Sequence, residues 1–289
     1  TNLEKGMNKE RLIPLLWKIL IGATLFTVFT LVGARYLKGG IDWYETFYPT
    51  GQAVLSGKSP YTLIGFRYVP WAVLPILPFA WLPPDIGRAA FFVVSLLAFA
   101  YTAYRMGGNP IVVGAFIASP PVIHCLLNAN IDWMTLLGFF MPPQIGLFFV
   151  LIKPQLTAGL VLFWLIEAWR KGGIKEALRV FSPVSISILL SFALFGFWPE
   201  RFLEPIGFDW NASLWPMSIP IGVVLLTKAI RQRSDRLSMA ASPFLSPYVL
   251  LHSWSGALVS LANSTVDMLA AVLGLWILII IRSVQIFGS

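Results

Sequence analysis

"IDWMTLLGFFMPPQIGLFFVLIKPQ", residues 131–155, is apolar enough to lie inside a bilayer and too broken to cross one as a single helix. Pro142, Pro143 and Pro154 each lack a backbone donor, and a proline inside a helix kinks or ends it. The spacing predicts two half-helices, about 131–141 and 144–152, together spanning 131–152, that dip in and return. They leave Lys153 near the face from which they entered. Non-helical backbone at membrane depth is tolerated only where protein buries it or where it lines a cavity. This stretch therefore demands a surrounding bundle.

Composition agrees. Of 289 residues, 57% are hydrophobic and only 12% are charged, and the mean hydropathy is +0.76. Soluble domains carry about twice that charged fraction. Runs at 17–32, 111–127 and 262–281 approach or exceed the roughly 17–25 residues a helix needs to cross hydrocarbon. A closed β-barrel would show strands of alternating polarity, whereas here whole runs are apolar. The expected class is an all-α polytopic membrane protein, one domain over 1–289. The net charge of +8 first suggests nucleic acid. The basic residues, however, cluster at the ends of apolar runs, which is how a membrane chain is oriented, so no nucleic-acid partner is expected.

That clustering predicts a topology. Lys5, Lys9, Arg11 and Lys18 precede or open the first span, 12–32, and put the N-terminus in the cytoplasm. "RKGGIKEALR" (170–179) and "KAIRQRSDR" (228–236) are basic and read as internal; "PERFLEPIGFDW" (199–210) is net acidic and reads as external. Further spans are expected at 87–104, 111–127, 157–169, 176–196, 214–230, 240–254 and 262–281. That makes about eight crossings, both termini inside, and 34–67 the first external loop. "YVPWAVLPILPFAWLPP" (68–84) carries five prolines and is expected to be re-entrant or interfacial.

Ionisable residues near membrane depth are functional candidates by default. The outward-facing polar set is Asp42, Glu45, Arg67, His124, Asn128, Asn130, Asp132, Lys153, Asn211 and His252. Asp42 is followed by Trp43, Tyr44, Phe47 and Tyr48, whose i,i+4 pairs would form one aromatic face of an amphipathic helix along the membrane surface. Asp42 is then either an incidental carboxylate in an aromatic belt or a general base over a membrane site. Lys153 either snorkels to headgroups or meets a lipid phosphate, a role Arg67 would share. His252 is either a packing residue or part of the same outer layer. The lone Cys125 excludes an intramolecular disulfide and a cysteine cage. "NAS" (211–213) fits the N-glycosylation pattern. No HExxH, DxD or phosphate-loop pattern is present, so no cofactor is expected. A divalent cation is the one left open, and no motif supports it.

Taken together, Asp42-x-x-x-x-x-Tyr48-Pro49, "LSGKSPY", "FRYVPWAVLPILPFAWLPP", "NANIDWMTLLGFF", "LIKPQ", "NASLWP" and "SPYVLLHSW" resemble glycosyltransferase family 87. These are polyprenyl-phosphate-sugar-dependent GT-C enzymes that include phosphatidylinositol-mannoside mannosyltransferases. Ser246, Pro247, His252 and Trp254 fit the family's last motif, with Ser253 where that motif has a second histidine. The resemblance runs over about residues 35–255. It implies a GT-C-like bundle in a prokaryotic plasma membrane with its active site on the external face. Mannose, or another hexose or pentose, would pass from a polyprenyl-phosphate donor to a lipid or glycan acceptor. Asp42 would be the catalytic base, and Lys153, His252 and Arg67 would hold the donor phosphate. Asn128, Asn130, Asp132 and Gln155 would bind sugar hydroxyls, and Trp43 and Tyr44 would stack on sugar or isoprenoid. Two other readings stay open: a non-catalytic membrane subunit or degenerate relative, and a lipid or solute transporter using the broken helices.

Overall fold

A computed structural model describes residues 9–37, 39–63, 65–203 and 211–287, and every regular element among them is helical. α1 (Lys9–Tyr36) is apolar around its whole circumference, and only 6% of its most apolar window is buried. A helix that is greasy on all sides and unpacked has lipid for its solvent. Its end packs on α4, where Gly33 faces Ala89. A π-helical turn, Trp43–Phe47, follows and runs directly into α2 (Tyr48–Leu55). The proline-rich stretch forms a 3-10 helix, Pro70–Ile76, and the short α3 (Leu77–Ala80). It is the interrupted segment its prolines require.

α4 (Pro84–Arg105) is the central post, 56% buried over its apolar window. Pro84 starts it without losing a needed hydrogen bond, and Asp85 and Arg105 complement the helix dipole at its two ends. α5 (Pro110–Ile117) and α6 (Pro120–Asn128) are together long and apolar enough for one span, but the pair is bent by 56°. The bend falls at Pro120 and Pro121, which end the incoming helix and start the next.

The broken hairpin is present. α7 (Asp132–Leu137) passes through a 3-10 turn, Gly138–Phe140, to α8 (Pro143–Val150). Its arms meet backbone to backbone: a Cβ on Gly138 would lie 2.9 Å from the Gly146 carbonyl and 2.5 Å from Phe149 Cβ.

α9 (Pro154–Phe195) is continuous in hydrogen bonding but breaks at Gly172 and Gly173. A straight helix would separate Trp164 from Val180 by about 24 Å, yet both line one cavity and share one buried cluster. The chain bends back at the glycines. The expected spans at 157–169 and 176–196 are the two halves of this element. α10 (Ile219–Gln232), α11 (Asp235–Ala241), α12 (Ser255–Val259) and α13 (Thr265–Phe287) complete the bundle.

Among the described residues, four helices are long and apolar enough to cross a membrane, or five with the bent α5–α6 pair, where about eight crossings were expected. The protein is an all-α membrane protein. Two expected spans differ. The one at 214–230 is the 14-residue α10, below the roughly 17 residues a crossing needs. The one at 240–254 is no continuous helix: α11 stops at Ala241, and 3-10 turns at Pro243–Leu245 and Leu251–Trp254 flank an extended piece. Pro243 and Pro247 divide it, a signal hydropathy averaging hides. The second half of the acidic loop, 204–210, lies outside the described residues.

Gly173 holds φ +58° and ψ −145°, a conformation open only to glycine. Gly173→Val is expected to cost about 1–3 kcal/mol, read as a lower melting temperature in detergent. Gly22→Ala, with no atom near its new Cβ, is expected to leave the melting temperature unchanged or slightly raised.

Candidate functional site

The polar residues gather where the chain is least regular. Lys153 precedes Pro154, and the residue before a proline is pushed out of the helical region. Its φ of −137° and ψ of 85° turn the side chain out of the helix line. Asn130 follows Ala129, the left-handed residue ending α6. His252 sits on the 3-10 turn between the extended piece and α12. Arg88, fully buried on α4, donates to the carbonyls of Leu126 and Leu127 at 2.9 and 2.7 Å. These are the carbonyls a helix end leaves unpaired, so Arg88 fixes the corner from which Asn128, Asn130 and Asp132 project.

At the centre Lys153 and Asp132 form an ion pair, 2% and 0% exposed. His252, 1% exposed, places Nδ1 2.8 Å from Asp132 Oδ2. A carboxylate only accepts, so Nδ1 carries the proton and Nε2 is left for another partner. Lys153 also donates to Asn130 Oδ1, which in addition accepts from the Ile131 amide. The Asn130 amide donates to Asp42 Oδ2 at 2.6 Å. Asp42 itself is half-buried. One chain of hydrogen bonds therefore runs from a buried ion pair out to an accessible carboxylate.

Five of the expected residues, Asp42, Asn130, Asp132, Lys153 and His252, thus converge from four separate parts of the sequence. Their roles are not all as expected. Asp132 has no exposed surface, and both its oxygens face cations or donors, so it orients Lys153 and His252 rather than meeting a sugar. Asn130, at 2% exposure, is a bridge between Asp42 and Lys153. Asn128 is half-buried and turns to His124, 3.1 Å from its Nε2. Gln155 takes no part in the network. Arg67 is half-buried and lies close enough to Tyr248 to act on its phenol. Burial pushes that phenol up, while Lys153 and Arg67 pull it down.

Trp43 requires a correction. Its ring is fully buried against Phe91 and Tyr48, and its indole N–H donates to the Pro84 carbonyl at 2.9 Å. It is core, closed to any ligand, because the aromatic face of this turn points into the bundle with Phe47. Tyr44 remains exposed, but its hydroxyl donates to Asp85 at 2.6 Å, away from the network.

Three contributors carried weaker signals. His124 stacks on His252 with ring centroids 5.5 Å apart; it was one of many polar residues, and only folding reveals its partner. Tyr68 puts its ring 6.0 Å from the Lys153 ammonium, within cation–π range. Nothing in "FRYVPW" distinguishes it from its aromatic neighbours. Asn211 ties two motifs together, donating to the Pro247 carbonyl and accepting from the Val249 amide, both at 3.0 Å. Its amide is committed to holding the segment before His252. Among the described residues, no three His, Cys, Asp or Glu side chains gather as a metal ion would require.

The chain matches no protein-family model, no curated protein and no solved structure. Function has to be read from the site.

Removing one partner of a buried ion pair strands the other, at about 3–5 kcal/mol. Asp132→Ala is therefore expected to lower thermal stability in detergent by that amount. Asp42→Asn keeps a hydrogen-bonding amide at a half-buried position and is expected to shift stability by about 1 kcal/mol or less.

Proposed function

We propose that this protein is a membrane glycosyltransferase of the GT-C kind, similar to glycosyltransferase family 87, that moves a sugar from a polyprenyl-phosphate donor to a lipid or glycan hydroxyl. The observation that carries this reading is the half-buried Asp42 carboxylate, linked through Asn130 to a buried Lys153–Asp132–His252 network at the mouth of a broken hairpin.

The chemistry needs few parts. The acceptor oxygen bonds to the anomeric carbon as the carbon–oxygen bond to phosphate breaks. Polyprenyl phosphate leaves with the electron pair, and Asp42 takes the acceptor's proton. Because the leaving group is already a stable anion, positioned charge is the main demand. Two of the three Lys153 donors face Asn130 and Asp132, leaving the third for a phosphate oxygen. His252 Nε2 is the other uncommitted group, able to donate to a phosphate oxygen when both ring nitrogens carry protons, and Arg67 adds charge at the rim. The apolar hairpin and the lipid-facing helices suit an isoprenoid tail. Neither sugar nor acceptor is specified by these residues.

The orientation favoured is a prokaryotic plasma membrane with the network outside. Arg170 donates to the Ile230 carbonyl at 2.7 Å, so the two basic loops share one end of the bundle. Lys171 lies about 25 Å along α9 from Pro154, close to the thickness of a hydrocarbon core. The opposite, Asp42 end is then external by the positive-inside rule.

The deep burial of Lys153 and His252 favours a second reading, in which the network only braces the bundle and the chain is a non-catalytic membrane subunit. Asp42→Asn separates the two. The expected outcome is an unchanged melting curve with transfer from a polyprenyl-phosphate hexose reduced about 100-fold or more. Transfer at the wild-type rate would remove Asp42 as the base.

A further inference from the structure

The far end of α9 carries a second concentration of charge that the proposed reaction does not use. A cavity of about 490 Å³ opens there between the tip of the hairpin, the two halves of α9 and the end of α10. Arg170, Lys171, Arg179 and Arg233 line it against only two carboxylates, Glu167 and Glu176. Each of those carboxylates already pairs with an arginine. Arg170 reaches Glu167 at 2.8 Å, and Arg179 grips Glu176 with two hydrogen bonds of 2.6 and 2.8 Å. Lys171 and Arg233 stand 3.9 and 4.0 Å from the same carboxylates. That is beyond hydrogen-bond length, so their donors are not consumed by them.

Two backbone turns bring these cations together. Arg233 ends α10 at φ 53°, a left-handed cap that glycine or asparagine usually fills. The glycine break places Lys171 on one side of the cavity and Glu176 and Arg179 on the other. The floor is apolar, with Trp164 8% exposed.

We propose that this cavity binds the phosphate headgroup of an anionic lipid, with the apolar part of the lipid against the floor formed by Trp164, Ala168 and Val180. Two surplus cations select an anion, and a basic pocket between membrane helices is the form such sites take. That apolar floor favours a lipid over free phosphate. The proposal is independent of the glycosyltransferase reading, because it uses none of the residues of the Asp42 network.

The test is native mass spectrometry of the full chain in detergent with phosphatidylglycerol or phosphatidylcholine added. Phosphatidylglycerol is expected to be retained and phosphatidylcholine lost. Lys171→Gln and Arg233→Gln should each weaken retention about fivefold, and Lys58→Gln, outside the cavity, should not. Both cavity side chains are more than 70% exposed, so each single variant should keep the wild-type melting temperature. Equal retention of the two lipids, or unchanged retention in both variants, would overturn the proposal. So would displacement of the lipid by inorganic phosphate at equal concentration, which would mark a free-phosphate site.

Discussion

Lys153 brings a full positive charge to a place with 2% solvent exposure, and much of the surrounding structure exists to answer it. An unpaired ammonium at such a site would lose its proton or expel the segment that carries it. Asp132 supplies the opposing charge from the first turn of the hairpin, and His252 braces Asp132 from the other side of the bundle. Asn130 accepts from Lys153 and passes the connection to Asp42. Asn130 and Asp132 share one irregular segment, and Asp42 and His252 come from two others, so with its own segment one buried charge ties together four breaks in the helical framework.

Those breaks are affordable in a membrane only because the framework around them is regular. α1, α4, α9 and α13 satisfy most of their own backbone groups along apolar lengths, while the short α7 and α8 of the hairpin pack on α4 and α9. Arg88 does for the end of α6 what water would do in a soluble protein, donating to the Leu127 carbonyl and to that of Leu126, which the Ala129 amide also reaches. The polar network is therefore supported from behind by backbone capping and from the side by aromatic packing of Trp43, Phe47 and Phe91.

The hairpin was legible because prolines act locally: Pro142, Pro143 and Pro154 end helices wherever they stand, and the half-helices fall where the prolines put them. The same reasoning read 68–84 as interrupted. The span at 240–254 was misjudged because its apolar average outweighed Pro243 and Pro247. Asp42, Asp132, Lys153 and His252 were read as one layer, and the structure brings these four together. What each side chain touches was not legible, since Asp132 as buried counter-ion and Trp43 as core are fixed by packing between distant segments. Aromatic spacing of four residues announced a helical face correctly; which way that face turned was decided by Phe91, 48 residues later.

The central claim is that the Asp42 network is a site for a lipid-linked sugar phosphate rather than a brace. The most direct measurement is a structure of the chain determined with a bound polyprenyl phosphate. The account predicts the phosphate against Lys153 Nζ and His252 Nε2, facing Asp42, with the isoprenoid leaving along the hairpin. A phosphate bound elsewhere, with the Lys153–Asp132–His252 network closed and Asp42 uncontacted, would contradict it.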